Sequence, residues 1–133
     1  MIIDIYGSTG IIGTKTLKII NKNFPQIKIN LLCANNSVNK LIKQVNFYKP
    51  KFVHIHNSKK IQILKKNINT STKILNKDDL ESYLKEARPN LSLLAISGYK
   101  SLNYFDLILQ GSQSLGLVSK EAIVSAGHLF KNY

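Results

Sequence analysis

Several residue types are scarce in this chain, and each shortage narrows what it can be. Its one cysteine, Cys33, has no second thiol for an internal disulfide, so a reducing, cytoplasmic setting is the expectation. No run approaches the roughly 18 consecutive apolar residues of a membrane-spanning helix. The opening Met1-Ile-Ile-Asp-Ile-Tyr6 has no basic leader segment and runs straight into a structured pattern, unlike a secretion signal. Carboxylates are few: seven Asp and Glu stand against nineteen Lys and Arg, for a net charge of +12. Arginine is scarcer still, because Arg88 is the only one.

A charge of +12 raises the reading of a basic nucleic-acid-binding module. The pattern argues against it. The excess is lysine, and the chain is also rich in Asn and Ile, a composition that A/T-biased codons produce without selection for an anionic partner. Lys15, Lys22, Lys40, Lys59, Lys73 and Lys100 are scattered, and no segment interleaves cations with aromatics as a base-stacking platform would.

What remains is an ordinary globular composition, 44% hydrophobic over 133 residues, enough for one domain with a buried core. Short apolar runs at Ile2 to Tyr6, Lys28 to Ala34, Phe52 to Ile55, Lys73 to Leu75, Leu91 to Ile96 and Leu115 to Val118 read as strands. Between them lie segments of helical period. Thr14 to Asn23 carries Leu17, Ile20 and Phe24 and exits at Pro25. Ser37 precedes a stripe of Val38, Leu41, Ile42, Val45 and Tyr48 that ends by Pro50, and Ser58 precedes Ile61, Leu64 and Ile68. Asp78 and Asp79 open a helix through Leu80, Tyr83 and Leu84 that stops before Pro89. Further helices are expected from about Leu102 to Leu109, closing at Gly111, and through Ala122, Ile123 and Ala126. Strands alternating with helices imply a parallel sheet covered on both faces.

The segment that carries chemistry is Gly7-Ser8-Thr9-Gly10-Ile11-Ile12-Gly13, between the first strand and the first helix. Gly7 permits a tight turn, Gly10 lets backbone N–H groups approach a pyrophosphate, and Gly13 lets the helix pack close to the strand. The helix amino terminus then offers unpaired N–H donors to the anion. The spacing is G-x-x-G-x-x-G rather than G-x-G-x-x-G, and a purely structural strand-to-helix turn is the alternative. After the second strand, Cys33-Ala34-Asn35-Asn36-Ser37 holds no acid to grip a ribose 2′-hydroxyl, which leans toward NADP over NAD. No cation follows until Lys40. The fold expected is α/β, a Rossmann-like three-layer domain with a mainly parallel sheet, spanning 1–133 as a single dinucleotide-binding domain.

Three segments resemble the 1-deoxy-D-xylulose 5-phosphate reductoisomerase family. The stretch from Ile5 to Leu17 is similar to its opening, whose hallmark is G-S-T-G-S-I-G. Ala95-Ile-Ser-Gly98 resembles its A-I-x-G strand end, and Val118-Ser-Lys-Glu-Ala-Ile-Val-Ser-Ala-Gly127 its A-N-K-E-x-L-V-x-A-G segment. They occur in the family's order along essentially the whole chain. The resemblance implies NADPH as cofactor and a divalent metal, Mg or Mn, in the intact enzyme, which rearranges a ketose phosphate and reduces the resulting aldehyde in non-mevalonate isoprenoid synthesis. By position it places Thr9, Gly10, Ile11 and Ile12 along the pyrophosphate and nicotinamide. It sets Asn35, Asn36 and Ser37 toward the adenosine 2′-phosphate. Ser119, Lys120 and Glu121 fall beside nicotinamide and substrate, with Lys120 and Glu121 touching substrate.

The chain departs from the family at several of these positions. The serine of G-S-T-G-S-I-G is Ile11, the G-K-N after the second strand reads Asn35-Asn36-Ser37, and the N of N-K-E is Ser119. The family's metal carboxylates, in a D-S-E segment, come after the last residue of this chain, so the expectation is a cofactor domain that is inactive alone and completed, if at all, by a separately encoded catalytic part. A vestigial domain that folds without binding nucleotide is the competing expectation. His54-x-His56 is expected at a partly exposed strand end rather than in a metal site. Cys33 should pack as a small hydrophobe, Asp4 should face the sheet edge, and Asp78, Asp79, Glu81, Glu86 and Asp106 should be solvated.

Overall fold

A computed structural model of the chain describes residues 1–96 and 105–118. Six strands form one sheet: β1 (Ile2–Tyr6), β2 (Lys28–Ala34), β3 (Phe52–Ile55), β4 (Lys73–Ile74), β5 (Leu91–Leu94) and β6 (Leu115–Leu117). Every pairing between them is parallel, in the order β4-β3-β2-β1-β5-β6. Between the strands run α1 (Ile11–Asn23), α2 (Val38–Tyr48), α3 (Ile61–Asn67), α4 (Lys77–Glu86) and α5 (Phe105–Gly111). A 3-10 turn at Ser58–Lys60 leads into α3.

The strands alternate their side chains between two cores, which makes the three layers. On one face Ile3, Ile5, Leu32, Ala34, Val53 and Ile55 meet Leu17 and Ile20 of α1, Val38, Leu41 and Val45 of α2, and Leu64 of α3. On the other, Tyr6, Leu31, Cys33 and Leu94 meet Leu80 and Leu84 of α4 and Phe105 and Ile108 of α5. Each fully buried aliphatic side chain contributes about 1.5–3 kcal/mol relative to exposure, so the helical stripes read in the sequence are what fasten the helices to the sheet.

Where structure and sequence reading part, local causes are visible. Helix α1 begins at Ile11 rather than Thr14, because Gly10, in extended backbone (φ −73°, ψ 176°), is already the N-cap. Ile11 and Ile12 lie in the first turn but outside the buried stripe, so periodicity does not register them. Phe24 does not extend the stripe: it caps α1 with φ −136° and ψ 59°, and its ring is exposed. Ser37 occupies the N-cap of α2 without a side-chain capping bond. The cap with a full set of bonds is at α4, where Asp79 N–H donates to Asn76 Oδ1 at 2.8 Å and Asn76 N–H to Asp79 Oδ2 at 3.2 Å. The expected helix through Ala122, Ile123 and Ala126, and its neighbour's first residues before Phe105, lie outside the described residues.

Asp4 requires the largest correction. It lies not at a sheet edge but on the central strand β1, fully buried on the α4 and α5 side. A register shift in the β1–β2 ladder, between Ile3 opposite Ile29 and Asp4 opposite Leu31, leaves Asn30 as an extra residue. The Asn30 amide then donates to Tyr83 Oη at 2.5 Å and to Asp4 Oδ1 at 3.4 Å, while the Tyr83 hydroxyl donates to Asp4 Oδ2 at 2.7 Å. Burial outweighs these bonds and pushes the Asp4 carboxyl up to about 6.

The sign of the resulting pH dependence follows from proton binding. Between about pH 4 and 6 the folded chain keeps a proton on Asp4 that the unfolded chain has released, so stability falls as pH rises through that window, by up to about 3 kcal/mol, and levels off above it. Urea unfolding followed across this range should show the decline, and Asp4→Asn should flatten it. Superimposable pH profiles for the two proteins would rule out a buried carboxyl of raised pKa.

Candidate nucleotide-binding site

The chain lays down β1 to β4 outward in one direction, then returns to place β5 on the other side of β1. In sheets of this kind the crevice for a ligand opens at the carboxyl ends of the strands flanking that reversal. Here those ends are Tyr6, followed by the glycine loop, and Leu94, followed by Ala95 and Ile96. The two are stitched together where Ala95 N–H donates to Tyr6 O at 2.8 Å.

The three glycines divide their work. Gly7 has φ +84°, in the left-handed region, and a Cβ on it would lie 2.8 Å from Ala95 O. A Cβ on Gly13 would lie 2.3 Å from Gly7 O and 2.7 Å from Ser8 Cα, so only glycine lets α1 come this close to the turn. Gly10 is different. It is exposed, and the nearest atom to a Cβ there would be Gly7 O at 3.4 Å, an ordinary contact. The fold itself does not demand glycine at this position; what glycine preserves is the solvent-exposed space that a side chain there would occupy.

That space adjoins the amino terminus of α1, a 13-residue helix with no side-chain cap and no acidic residue in its first turn. Its leading N–H groups have no intrahelical acceptors, and the helix dipole adds positive potential there. The loop is held from behind. Gly7 and Ser8 N–H groups both donate to Cys33 O, at 2.8 and 3.0 Å, and Gln44 Nε2 of α2 donates to Ser8 O at 2.8 Å. Gln44 is buried. Sequence reading passes over it, and its one signal is its place beside Leu41 and Val45 on the apolar stripe. Thr9 is half-buried, while Ile11 and Ile12 are 75% and 41% exposed, an apolar surface at the mouth of the loop.

Asn35, Asn36 and Ser37 follow β2 at the same edge, all exposed. The turn after β3 runs beside them: His56 N–H donates to Ala34 O and Asn57 N–H to Asn35 O, each at 2.9 Å. Asn57 Nδ2 also donates to Asn36 Oδ1 at 2.8 Å. Asn57 is a second residue that sequence reading misses, since its partner is 21 positions away. Ser119, Lys120 and Glu121, and Ser97 and Gly98 of the A-I-x-G segment, lie outside the described residues.

The histidine pair does not sit as the sequence reading has it. His56 is exposed, but His54 is buried, because β3 is an interior strand. His54 Nδ1 lies 2.8 Å from Leu75 O; a carbonyl can only accept, so Nδ1–H is the donor. Burial then holds the imidazole below its usual pKa and keeps it neutral, with Nε2 buried and unpartnered. Among the described residues no three His, Cys, Asp or Glu side chains gather in a way that could hold a metal ion. Cys33 is buried as expected, and burial pushes its thiol well above the usual range, the opposite of a reactive thiolate.

An all-parallel, three-layer sheet with a glycine loop and an uncapped helix amino terminus at its reversal point is the arrangement of a dinucleotide-binding α/β domain. The family model of 1-deoxy-D-xylulose 5-phosphate reductoisomerase matches residues 3–127, and the chain belongs to this family. The reductoisomerase of Wigglesworthia glossinidia brevipalpis is 32% identical over 133 residues, covering 96% of this chain and 34% of that protein. That of Pelagibacter ubique (strain HTCC1062) is 33% identical over 132 residues, covering 97% and 34%. The Zymomonas mobilis enzyme, solved in complex with NADPH, superposes with a TM-score of 0.85 at 25% identity, over 96% of this chain and 34% of that one. A DOX-P reductoisomerase in complex with NADPH, fosmidomycin and magnesium has the same fold, with a TM-score of 0.84 at 24% identity over 96% and 32%. The chain thus spans about a third of the length of these relatives.

The division among the glycines is measurable. Gly13→Ala should cost about 2–3 kcal/mol in urea unfolding, since the added methyl meets backbone that cannot swing aside. Gly10→Ala should cost about 1 kcal/mol or less, the difference between glycine and alanine as N-cap. Equal losses for the two would refute the assignment of Gly10 to ligand space rather than to the fold.

Proposed function

We propose that residues 1–133 are the amino-terminal NADPH-binding domain of a 1-deoxy-D-xylulose 5-phosphate reductoisomerase serving non-mevalonate isoprenoid synthesis in the cytoplasm. The observation that carries this reading is the exposed Gly10, where no side chain stands over the uncapped amino terminus of α1, at the point where the strand order reverses. NADPH, when bound, supplies the hydride for reduction of an aldehyde.

The chain's own residues bind and orient it. Thr9, Gly10, Ile11 and Ile12 line the pyrophosphate, with the N–H groups of Ile11 and Ile12 at the helix start as donors and the Gly10 N–H already paired to Gly7 O at 3.2 Å; Gly7 and Gly13 fix the turn. Ile11 and Ile12 lend apolar surface beside the dinucleotide. Asn35, Asn36 and Ser37 take the adenosine side, where the lack of a carboxylate admits a 2′-phosphate. Ser119, Lys120 and Glu121 serve nicotinamide and substrate, a role supported by their match to the family's N-K-E segment; Lys120 offers a point charge and Glu121 accepts hydrogen bonds from sugar hydroxyls.

Rearrangement of the ketose phosphate belongs to the other two thirds of the reductoisomerase, with its divalent Mg or Mn, in continuous or separately encoded polypeptide. Among the described residues no three His, Cys, Asp or Glu side chains could hold that metal. Purified alone, the chain should show no metal-dependent NADPH oxidation with 1-deoxy-D-xylulose 5-phosphate. Turnover above the enzyme-free background would overturn that expectation.

Calorimetric titration with NADPH, and with NADH for comparison, tests the cofactor assignment. Saturable binding that prefers NADPH is the expected result. A second reading, a vestigial domain that folds without nucleotide, is favoured by one observation: Ile11, 75% exposed in the phosphate loop, stands where the family has serine. Failure to bind up to about millimolar NADPH, well above the micromolar range of working cofactor sites, would select that reading, provided circular dichroism shows a folded chain.

A further inference from the structure

We propose that Lys59, carried to the cofactor edge by the turn after β3, is the cation that meets the adenosine 2′-phosphate of NADPH and sets the preference for NADP in this chain. The assignment rests on the NADPH reading above and adds to it a residue outside the loop that sequence position would assign. A phosphate with two negative charges is held best by donors that carry charge themselves. The loop after β2 has none: Asn35, Asn36 and Ser37 are neutral. The neighbouring turn makes up the deficit.

Asn57 is the connector. Its backbone N–H is paired to Asn35 O, its Nδ2 donates to Asn36 Oδ1 at 2.8 Å, and its Oδ1 accepts the N–H of Lys59 at 3.1 Å. One amide therefore ties the start of the Ser58–Lys60 turn to the loop after β2. With Oδ1 of Asn36 turned to Asn57, the loop presents Asn36 Nδ2 as its donor, and the exposed Lys59 stands two positions beyond the same connector. Among the described residues no carboxylate stands at this edge to neutralise the lysine. The described carboxylates are Asp4, buried in β1, then Asp78, Asp79, Glu81 and Glu86 on α4, and Asp106 on α5; the segments 6–15, 33–40 and 55–61 contain none. Two cations compete: Lys40, exposed in the first turn of α2, whose helix is tied to Asn36 O through the Val38 N–H at 2.9 Å, and Lys60, half-buried, whose N–H donates to Asn57 O at 3.0 Å; Lys59 is the exposed cation of the turn that Asn57 joins to the Asn36 side chain.

The experiment is calorimetric titration of the 133-residue chain and its variants with NADPH, NADH and adenosine 2′,5′-bisphosphate. Lys59→Ala should weaken NADPH and the bisphosphate about tenfold, the loss expected of one charge-assisted contact, while NADH changes less than about twofold. Lys59→Arg should retain the preference, and Asn57→Ala should lose part of it. NADPH binding unchanged in Lys59→Ala, equal losses for NADPH and NADH, or a loss that follows Lys40→Ala or Lys60→Ala instead would each overturn the assignment while leaving the NADPH reading intact. A parent chain that binds neither dinucleotide would instead bring down the NADPH reading itself, and this assignment with it.

Discussion

The contact on which the rest depends is backbone against backbone, where α1 presses its first turn onto the loop that leaves β1. Gly13 has no side chain to hold the two apart, and Gly7 accepts a left-handed turn that no side chain would enter without strain. Once that contact closes, the axis of α1 is set, Leu17 and Ile20 reach the sheet, and the helix's positive end is delivered to the carboxyl edge of β1. Bonds from Gly7 and Ser8 to Cys33 O, and from Gln44 to Ser8 O, then tie the loop to β2 and α2. The geometry of the loop is thus set by packing alone, so any anion it takes would meet a preorganised backbone.

The two faces of the sheet are unlike in chemistry. The α1, α2 and α3 side is an aliphatic core. The α4 and α5 side contains a polar cluster of Asp4, Asn30 and Tyr83, bonded across 79 residues of sequence. A buried carboxyl costs stability when ionised, yet its bonds bring the extra residue of β2 and the Tyr83 ring of α4 to one point. The charge of the surface is likewise divided, with the exposed carboxylates among the described residues kept to α4 and α5, away from the edge where an anionic ligand would lie.

Much of this was legible in the sequence, for physical reasons. The bounds of β1, β2 and β3 follow from apolar runs because central parallel strands are buried on both faces, and the helical stripes follow because each has one sheet to meet. The motif segment could be read because glycine at a strand-to-helix turn has few other uses. Asp4 was misplaced because a carboxylate mid-strand normally signals an edge, and its partners Tyr83 and Asn30 become neighbours only after the sheet forms. His54 was misplaced likewise, since its acceptor is a carbonyl of the segment after β4. Gln44 and Asn57 were invisible for the same reason: an amide declares its role through its partner, and those partners lie 36 and 21 residues away.

The unequal duties of the glycines also bear on how such a loop would decay in descent. Relaxed selection on nucleotide binding would leave Gly7 and Gly13 in place for as long as the domain must fold, so these two report on structure alone. Position 10 would be released before the other two, because a side chain there costs the fold little and stands chiefly in the way of a ligand. A lineage that had long abandoned its cofactor would be expected to have let Gly10 drift to one of the many residues the fold accepts. Here Gly10 stands beside Ile11, so the loop keeps its backbone bare at position 10 while carrying a bulky apolar side chain at the next.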